Sequence, residues 1–254
     1  MNYEKQLRDI INDKKSGSSI IAKKIEKVFK NIPEDKRRDS IKKILKAYSS
    51  MGAVINKINI LCLESEGFKL DKEKDNRKEV FDKFWQENNK FENWITLSMS
   101  YWVIELFKHK KKRLKIKVGI SYPDREGLIT YNYLSKQHNV SVYEDSRLSN
   151  EVKDSDGIIL GADLLTDKFI INKIGSFPLA LASRYYNKPL YIISSGDKYL
   201  TEDLLGFFKV KRKGRGNRVI DIYEDIPVEL IDNIYLTTNS YKYPVSDCLK
   251  KLTD

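Results

Sequence analysis

The hydrophobic pattern changes its period near Asn93, and that change limits the folds open to this chain. Before it, apolar residues recur at helical spacing: Ile20, Ile21, Ile25, Val28 and Phe29, then Ile41, Ile44, Leu45 and Tyr48, then Val54, Ile58 and Leu61. Residues three and four apart share a helix face, so each group makes one apolar stripe. Pro33 suits the first turn of a helix, and Ser16, Gly17, Ser18 and Ser19 interrupt the first two stripes with residues that turn and cap. The stretch 64–76 is charged and aperiodic, as an exposed turn or linker would be, and Phe81, Phe84 and Trp85 then resume a helical stripe. After Asn93 come short apolar runs at 94–98, 116–121, 140–143, 157–160 and 190–193, separated by amphipathic stretches; 219–223 is a further strand candidate. Strands joined by crossovers of helical length build a parallel sheet, whose ligands bind beyond the carboxyl ends of its strands. The expectation is an α/β protein with a helical domain over 1–92 and a parallel-sheet domain over 93–254.

Composition narrows the function. With 254 residues, 41% hydrophobic and 33% charged, the chain has the make-up of a soluble globular protein. No apolar run approaches the roughly 18 residues of a membrane span, and the first residues are charged, so no membrane partner and a cytoplasmic location are expected. Cys62 and Cys248 lie far apart without CxxC or Cys/His spacing; this argues against a disulfide framework or a structural zinc site, and no cofactor is expected. The net charge of +11 is concentrated in 108–117 (KHKKKRLKIK) and 209–218 (KVKRKGRGNR), the latter within a basic loop candidate over 206–218. Such runs fit either an RNA partner or a solvated helix end, where lysine is electrostatically favoured. His109 and His138 fall near helix ends among basic and polar neighbours and read as surface residues, so a Ser/His/Asp triad is not expected.

Four segments carry candidate chemistry. In 157–193 an apolar strand ends at Gly161-Ala162-Asp163, placing a carboxylate on the sheet rim, and Asn172-Lys173-Ile174-Gly175 reads as a helix start offering free amides and an ammonium to an anion. Asp163 capping a local turn with Lys173 solvated is the plainer alternative. In 95–100 (ITLSMS) a strand runs into Ser98 and Ser100, helix N-cap candidates whose hydroxyls would also suit a phosphate or sugar. In 121–127 (SYPDREG) Pro123 and Gly127 fix a loop on which Arg125 offers a planar cation. In 13–21 Gly17, Ser18 and Ser19 form a small-residue loop that either binds phosphate through its amides or separates two helices.

Taken in order, these segments resemble the initiation factor 2B alpha/beta/delta regulatory subunit family, which also contains the ribose-1,5-bisphosphate and methylthioribose-1-phosphate isomerases. GADLLTDKFIINKIGSFPLALASRYYNKPLYII is similar to that family's GAD, NKIG, LAL and PxY pattern, YEDIPVELIDNIYLTT to its acidic-Ile-Pro stretch, and VYEDSRL to its Asp-Ser segment. The resemblance implies a helical domain packed on a Rossmann-like domain, a homodimer formed through the latter, and a phosphosugar pocket between them. It implies that Asp163 matches a proton-transferring aspartate and that Asn172 and Lys173 match ligand contacts. The partner cysteine's place falls on Ser98 and a histidine's on Leu97; a serine hydroxyl is a far weaker acid than a thiol, whose pKa is about 8.5. The arginine of the S-R-P loop is Tyr122 here, leaving Arg125 as its replacement, and the turn between GAD and NKIG is shorter and lacks its glycine.

Three functions follow. The first is binding of a phosphorylated sugar or nucleotide by Gly17, Ser18, Ser19, Ser100, Arg125, Asn172 and Lys173, any reaction being an aldose-ketose isomerisation through Asp163 and Ser98. The second is a non-enzymatic regulatory subunit with an initiation factor partner. The third is RNA association through the basic runs.

Overall fold

The computed structural model describes residues 3–13, 16–71, 74–209, 212–215 and 218–252. Helices α1 (Tyr3–Ile11), α2 (Ser18–Phe29), α3 (Glu34–Tyr48) and α4 (Gly52–Ser65) bury their stripes against one another around Ile21, Ile25, Ile41, Ile44, Ile55 and Ile58. Helix α4 is apolar on nearly every side and is buried accordingly. The same core takes in Leu164, Ile171, Leu200 and Leu249 from the second half of the chain. Helix α5 (Arg77–Glu87) lies on the sheet instead, where Phe81, Phe84 and Trp85 pack with Trp94 and Phe107 and the Trp85 indole donates to the Leu106 carbonyl at 3.0 Å.

The second half alternates strands and helices: β1 (Asn93–Thr96), α6 (Tyr101–His109), β2 (Lys115–Gly119), α7 (Gly127–Leu134), β3 (Asn139–Tyr143), α8 (Asp145–Leu148) and β4 (Gly157–Leu160). Then follow β5 (Leu164–Leu165), β6 (Phe169–Lys173), α9 (Ser176–Tyr186), β7 (Leu190–Ser194) and α10 (Glu202–Leu205). The chain continues through β8 (Arg212–Arg215), β9 (Arg218–Asp221), β10 (Tyr223–Pro227), β11 (Asn233–Leu236) and α11 (Asp247–Lys250). Six strands form one parallel sheet in the order β11-β7-β4-β1-β2-β3. The α/β class and the helix-first, sheet-second arrangement therefore match the expectation. No helix among the described residues is long and apolar enough to cross a membrane.

Three expectations need correction. Asn172 and Lys173 do not open a helix; they end β6, paired antiparallel with Glu224 and Tyr223 of β10, and α9 starts only at Ser176, after Gly175 at φ 100°. His138 is not a surface residue but 1% exposed. Its Nδ1 accepts the Leu114 amide and its Nε2 donates to the Phe107 carbonyl, so the neutral ring satisfies two buried backbone groups. The basic stretch 209–218 is not simply a loop, because 212–215 and 218–221 pair as a hairpin, with 210, 211, 216 and 217 outside the described residues.

Candidate functional site

From β1 the chain builds outward to β2 and β3, then returns to the other side of β1 for β4, β7 and β11. The β1/β4 boundary is thus the point where strand order reverses, and ligands of open α/β sheets bind beyond the carboxyl ends of strands there. Ser98 and Ser100 follow β1, Gly161–Asp163 follow β4, and the 121–127 loop follows β2. The two central strand ends touch: a Cβ on Gly161 would lie 2.6 Å from Cβ and Oγ of Ser100. Ser100 holds the N-cap position of α6, but its hydroxyl is buried without a hydrogen-bond partner. Ser98 is not a cap. It sits at φ 66°, its amide donating to Ser121 Oγ at 2.7 Å and its carbonyl accepting from Thr130 Oγ1 at 2.8 Å.

Asp163 is half-buried and its backbone is fixed: its amide donates to Ile171 at 2.7 Å and its carbonyl accepts the Gly52 amide at 3.3 Å. Burial pushes its carboxyl above the ordinary carboxylate range, an effect that nearby Lys198 and Lys173 oppose and Glu126 reinforces. The Tyr223 hydroxyl is pushed up in turn, first by the charge of Asp163 and then by burial. Lys198 donates to the Ala162 carbonyl, so its ammonium faces the same turn. Lys173, 1% exposed, is not solvated: its ammonium lies 3.0 and 2.9 Å from the two carboxylate oxygens of Glu126 and 3.8 Å from Asp124.

Three features of the rim suited to an anion, the α9 amides, the amides of the loop after β2 and the Lys173 ammonium, are occupied by the chain's own carboxylates. Exposed backbone amides at a helix start or tight loop attract anions. At the start of α9 the Phe177 amide donates to Glu224 Oε1 at 2.7 Å, and the Gly175 and Ser176 amides also donate to that carboxylate. In the loop after β2 the Ser121 and Tyr122 amides each donate to Asp145 at 2.7 Å. Lys173 has Glu126. Apolar filling adds to this closure, because the methyl groups of Leu97, 2% exposed, would lie 2.5 and 3.2 Å from a Cβ on Gly119 and Gly175.

The remaining candidates are dispersed. Asn172 is buried and donates to Ser176 Oγ at 2.9 Å. Arg125, exposed and at φ 59°, stacks its guanidinium over the Tyr122 ring at 5.4 Å. Gly17 is the N-cap of α2, with Ser18 and Ser19 opening that helix, and among the described residues no hydrogen bond or ion pair ties the three to Asp163 or Lys173. The basic run 108–117 is the end of α6 and the start of β2; Lys108 pairs with Glu105, Lys112 with Glu92 and Lys117 with Glu151. Asp145, Glu126, Glu224 and Lys198 escaped the sequence reading. The first three were visible as acidic residues within YEDSRL, SYPDREG and YEDIP, but SYPDREG was weighed for its arginine and the other two only as stretches of family resemblance.

A family model described as the initiation factor 2 subunit family matches residues 72–229, more than half of the chain. This chain belongs to that family. Among initiation factor 2 family relatives, the eIF-2B subunit 2-like protein of Pyrococcus furiosus is 26% identical over 247 residues, covering 87% of this chain and 89% of the relative. A like-named protein of Pyrococcus abyssi is 34% identical over 110 residues, covering 41% and 40%. The solved structure of translation initiation factor eIF-2B from Pyrococcus horikoshii OT3 superposes with a TM-score of 0.71 at 23% identity, covering 92% and 94%. A chain of the tetrameric eIF2B-beta2-delta2 complex from C. thermophilum gives 0.73 at 11%, covering 92% and 90%. At these identities the two structures share the fold with this member of the initiation factor 2 family.

Proposed function

We propose that this chain works as a non-catalytic, initiation factor 2B-like subunit that acts by assembly, its former ligand rim sealed by its own side chains. The observation that carries this is the pairing of buried Lys173 with Glu126, beside Glu224 on the α9 amides and Asp145 on the loop amides. A phosphate entering the rim would meet carboxylates where it needs donors. Isomerase chemistry of the related enzymes also needs a thiol acid, and the position holds Ser98, whose hydroxyl is too weak an acid for that part. In this reading the subunit has a helical part, 1–92, and a sheet part, 93–254, with α5 of the first laid on the sheet of the second.

For assembly the sheet part offers α7, where Leu128, Ile129, Tyr131 and Tyr133 are 36–45% exposed, with Met99, Tyr101 and Tyr122 exposed on nearby rim segments. A cluster of exposed aliphatic and aromatic side chains is typical of a protein interface. Light scattering on the purified chain tests the reading: a dimer or larger assembly, reduced to monomer by Ile129→Glu, is expected. A monomeric wild-type chain that turns over a pentose phosphate would overturn it.

One observation favours a second reading, a phosphorylated sugar or nucleotide bound at the β1/β4 boundary. Asp163 keeps a raised carboxyl pKa between Lys198 and Lys173, as a proton-transfer group would. That reading requires Glu126 to leave Lys173 when the ligand arrives.

A further inference from the structure

Helix α4 and its C-cap carry a row of three side chains on one face, Asn59, Cys62 and the capping Glu66, spaced by three and four residues so that they stand above one another. All three face the segment that leads into α11. Asn59, fully buried, donates to the Pro244 carbonyl at 2.9 Å and accepts the Ser246 amide at 2.8 Å. Glu66, one turn beyond Cys62, accepts the Cys248 amide at 2.9 Å and the Asp247 amide at 3.2 Å. The backbone of 244–248 is therefore pinned to α4 both before and after Cys62. Cys248 joins the same apolar cluster as Cys62, whose centre includes Leu249. The two thiols, far apart in sequence, are brought together by this seam, and both are free.

We propose that Cys248 and Cys62 form a reversible redox pair, in which Cys248 takes up an oxidising low-molecular-weight disulfide and Cys62 resolves the adduct to an internal disulfide joining α11 to α4. Access supports the order of events, since Cys248 is half-exposed while Cys62 is 2% exposed. Their mutual contact also polarises them. The Cys248 thiol is pulled down to about 7, first by its hydrogen bond with Cys62, while the same contact and burial push the Cys62 thiol up. Near neutral pH Cys248 supplies the thiolate, which is the attacking species.

The Cys248 thiolate attacks one sulfur of the small disulfide, whose S–S bond breaks and releases one thiolate. Cys62 then gives its proton to the second leaving thiol as its sulfur bonds to Cys248. Two protein thiols become one disulfide and one small disulfide becomes two thiols, so electrons and protons balance. The bond would tether the last helix to the centre of the helical layer. It rests on the α4 face alone and is independent of what the sheet rim binds.

The test is to incubate the full-length chain over a series of ratios of oxidised to reduced glutathione, alkylate free thiols, and map peptides by mass spectrometry. A linked peptide containing Cys62 and Cys248, a higher Tm in the oxidised form, and reversal by reductant are expected. Cys62→Ser should stop the reaction at a glutathione adduct on Cys248, and Cys248→Ser should leave Cys62 unmodified. Persistence of the adduct in the wild type, or two free thiols under excess oxidised glutathione, would overturn the proposal.

Discussion

Replacing Glu126 by glutamine removes the closest counter-charge of an ammonium that has no route to water. Lys173 is 1% exposed, with Glu126 oxygens at 2.9 and 3.0 Å and Asp124 at 3.8 Å. At about 3 Å and an effective dielectric constant of roughly 20, the lost attraction is on the order of 5 kcal/mol. The glutamine oxygen still accepts one hydrogen bond, Asp124 remains, and Glu126 at 26% exposure already keeps part of its hydration. Stranding a buried charge costs about 3–5 kcal/mol, so these offsets bring Glu126→Gln to about 2–3 kcal/mol. Lys173→Met removes the other partner, and Glu126 can turn to solvent; its cost is expected to be about 1 kcal/mol or less. Urea unfolding of both variants and of the double variant gives the coupling directly. The order is the essential result. If Glu126→Gln costs under about 0.5 kcal/mol, or Lys173→Met costs more than it does, Lys173 is not held as described.

Three further outcomes follow from the geometry. Burial lowers the pKa of His138, so below about pH 6.5 the unfolded chain takes up a proton that the folded chain refuses; stability should fall as pH drops through that range, and His138→Gln should flatten the fall. Asp163 has the opposite sign: with its folded carboxyl pKa raised, its ionisation weakens the fold as pH rises through that value. Asp163→Asn should therefore raise Tm at neutral pH and lose the advantage below about pH 4, as a thermal melt series would show. A Cβ at Gly127 would lie 1.7 Å from the Gly119 carbonyl oxygen, so Gly127→Ala should cost more than the usual 1–3 kcal/mol of overpacking, about enough to abolish soluble folded protein.

The fold was legible because burial writes itself into periodicity. Ile21, Ile25, Ile41 and Ile44 mark helix faces, and runs such as 157–160, buried at every residue, mark strands covered on both sides. The small antiparallel sheet was harder to read. Strands β5 and β6 are short and sit inside the segment whose Asn172-Lys173-Ile174-Gly175 suggested a helix start; β6 is a strand through its pairing with Tyr223–Pro227, and β5 through its pairing with β6. Asp163 could be placed on the rim from the strand before it. What closes the rim could not, because Glu126 reaches Lys173, Asp145 the loop amides and Glu224 the α9 amides from a loop, a helix start and a strand remote in sequence. His138 shows the same limit: its polar neighbours in sequence suggest the surface, whereas its neighbours in space are two backbone groups that need a partner. Cys62 and Cys248 likewise meet only once α11 docks on α4.

Calorimetric titration is the direct test of whether the chain's own carboxylates close the sheet rim to phosphorylated ligands. Wild-type protein would be titrated with pentose phosphates, pentose bisphosphates and nucleoside monophosphates, with Lys173→Met as control. No saturable heat and no rise in Tm are predicted for any of them. Saturable binding that raises Tm, equivalent to about 2.7 kcal/mol at a hundred times the dissociation constant, and that Lys173→Met abolishes, would show the rim to be open and restore it as a ligand site.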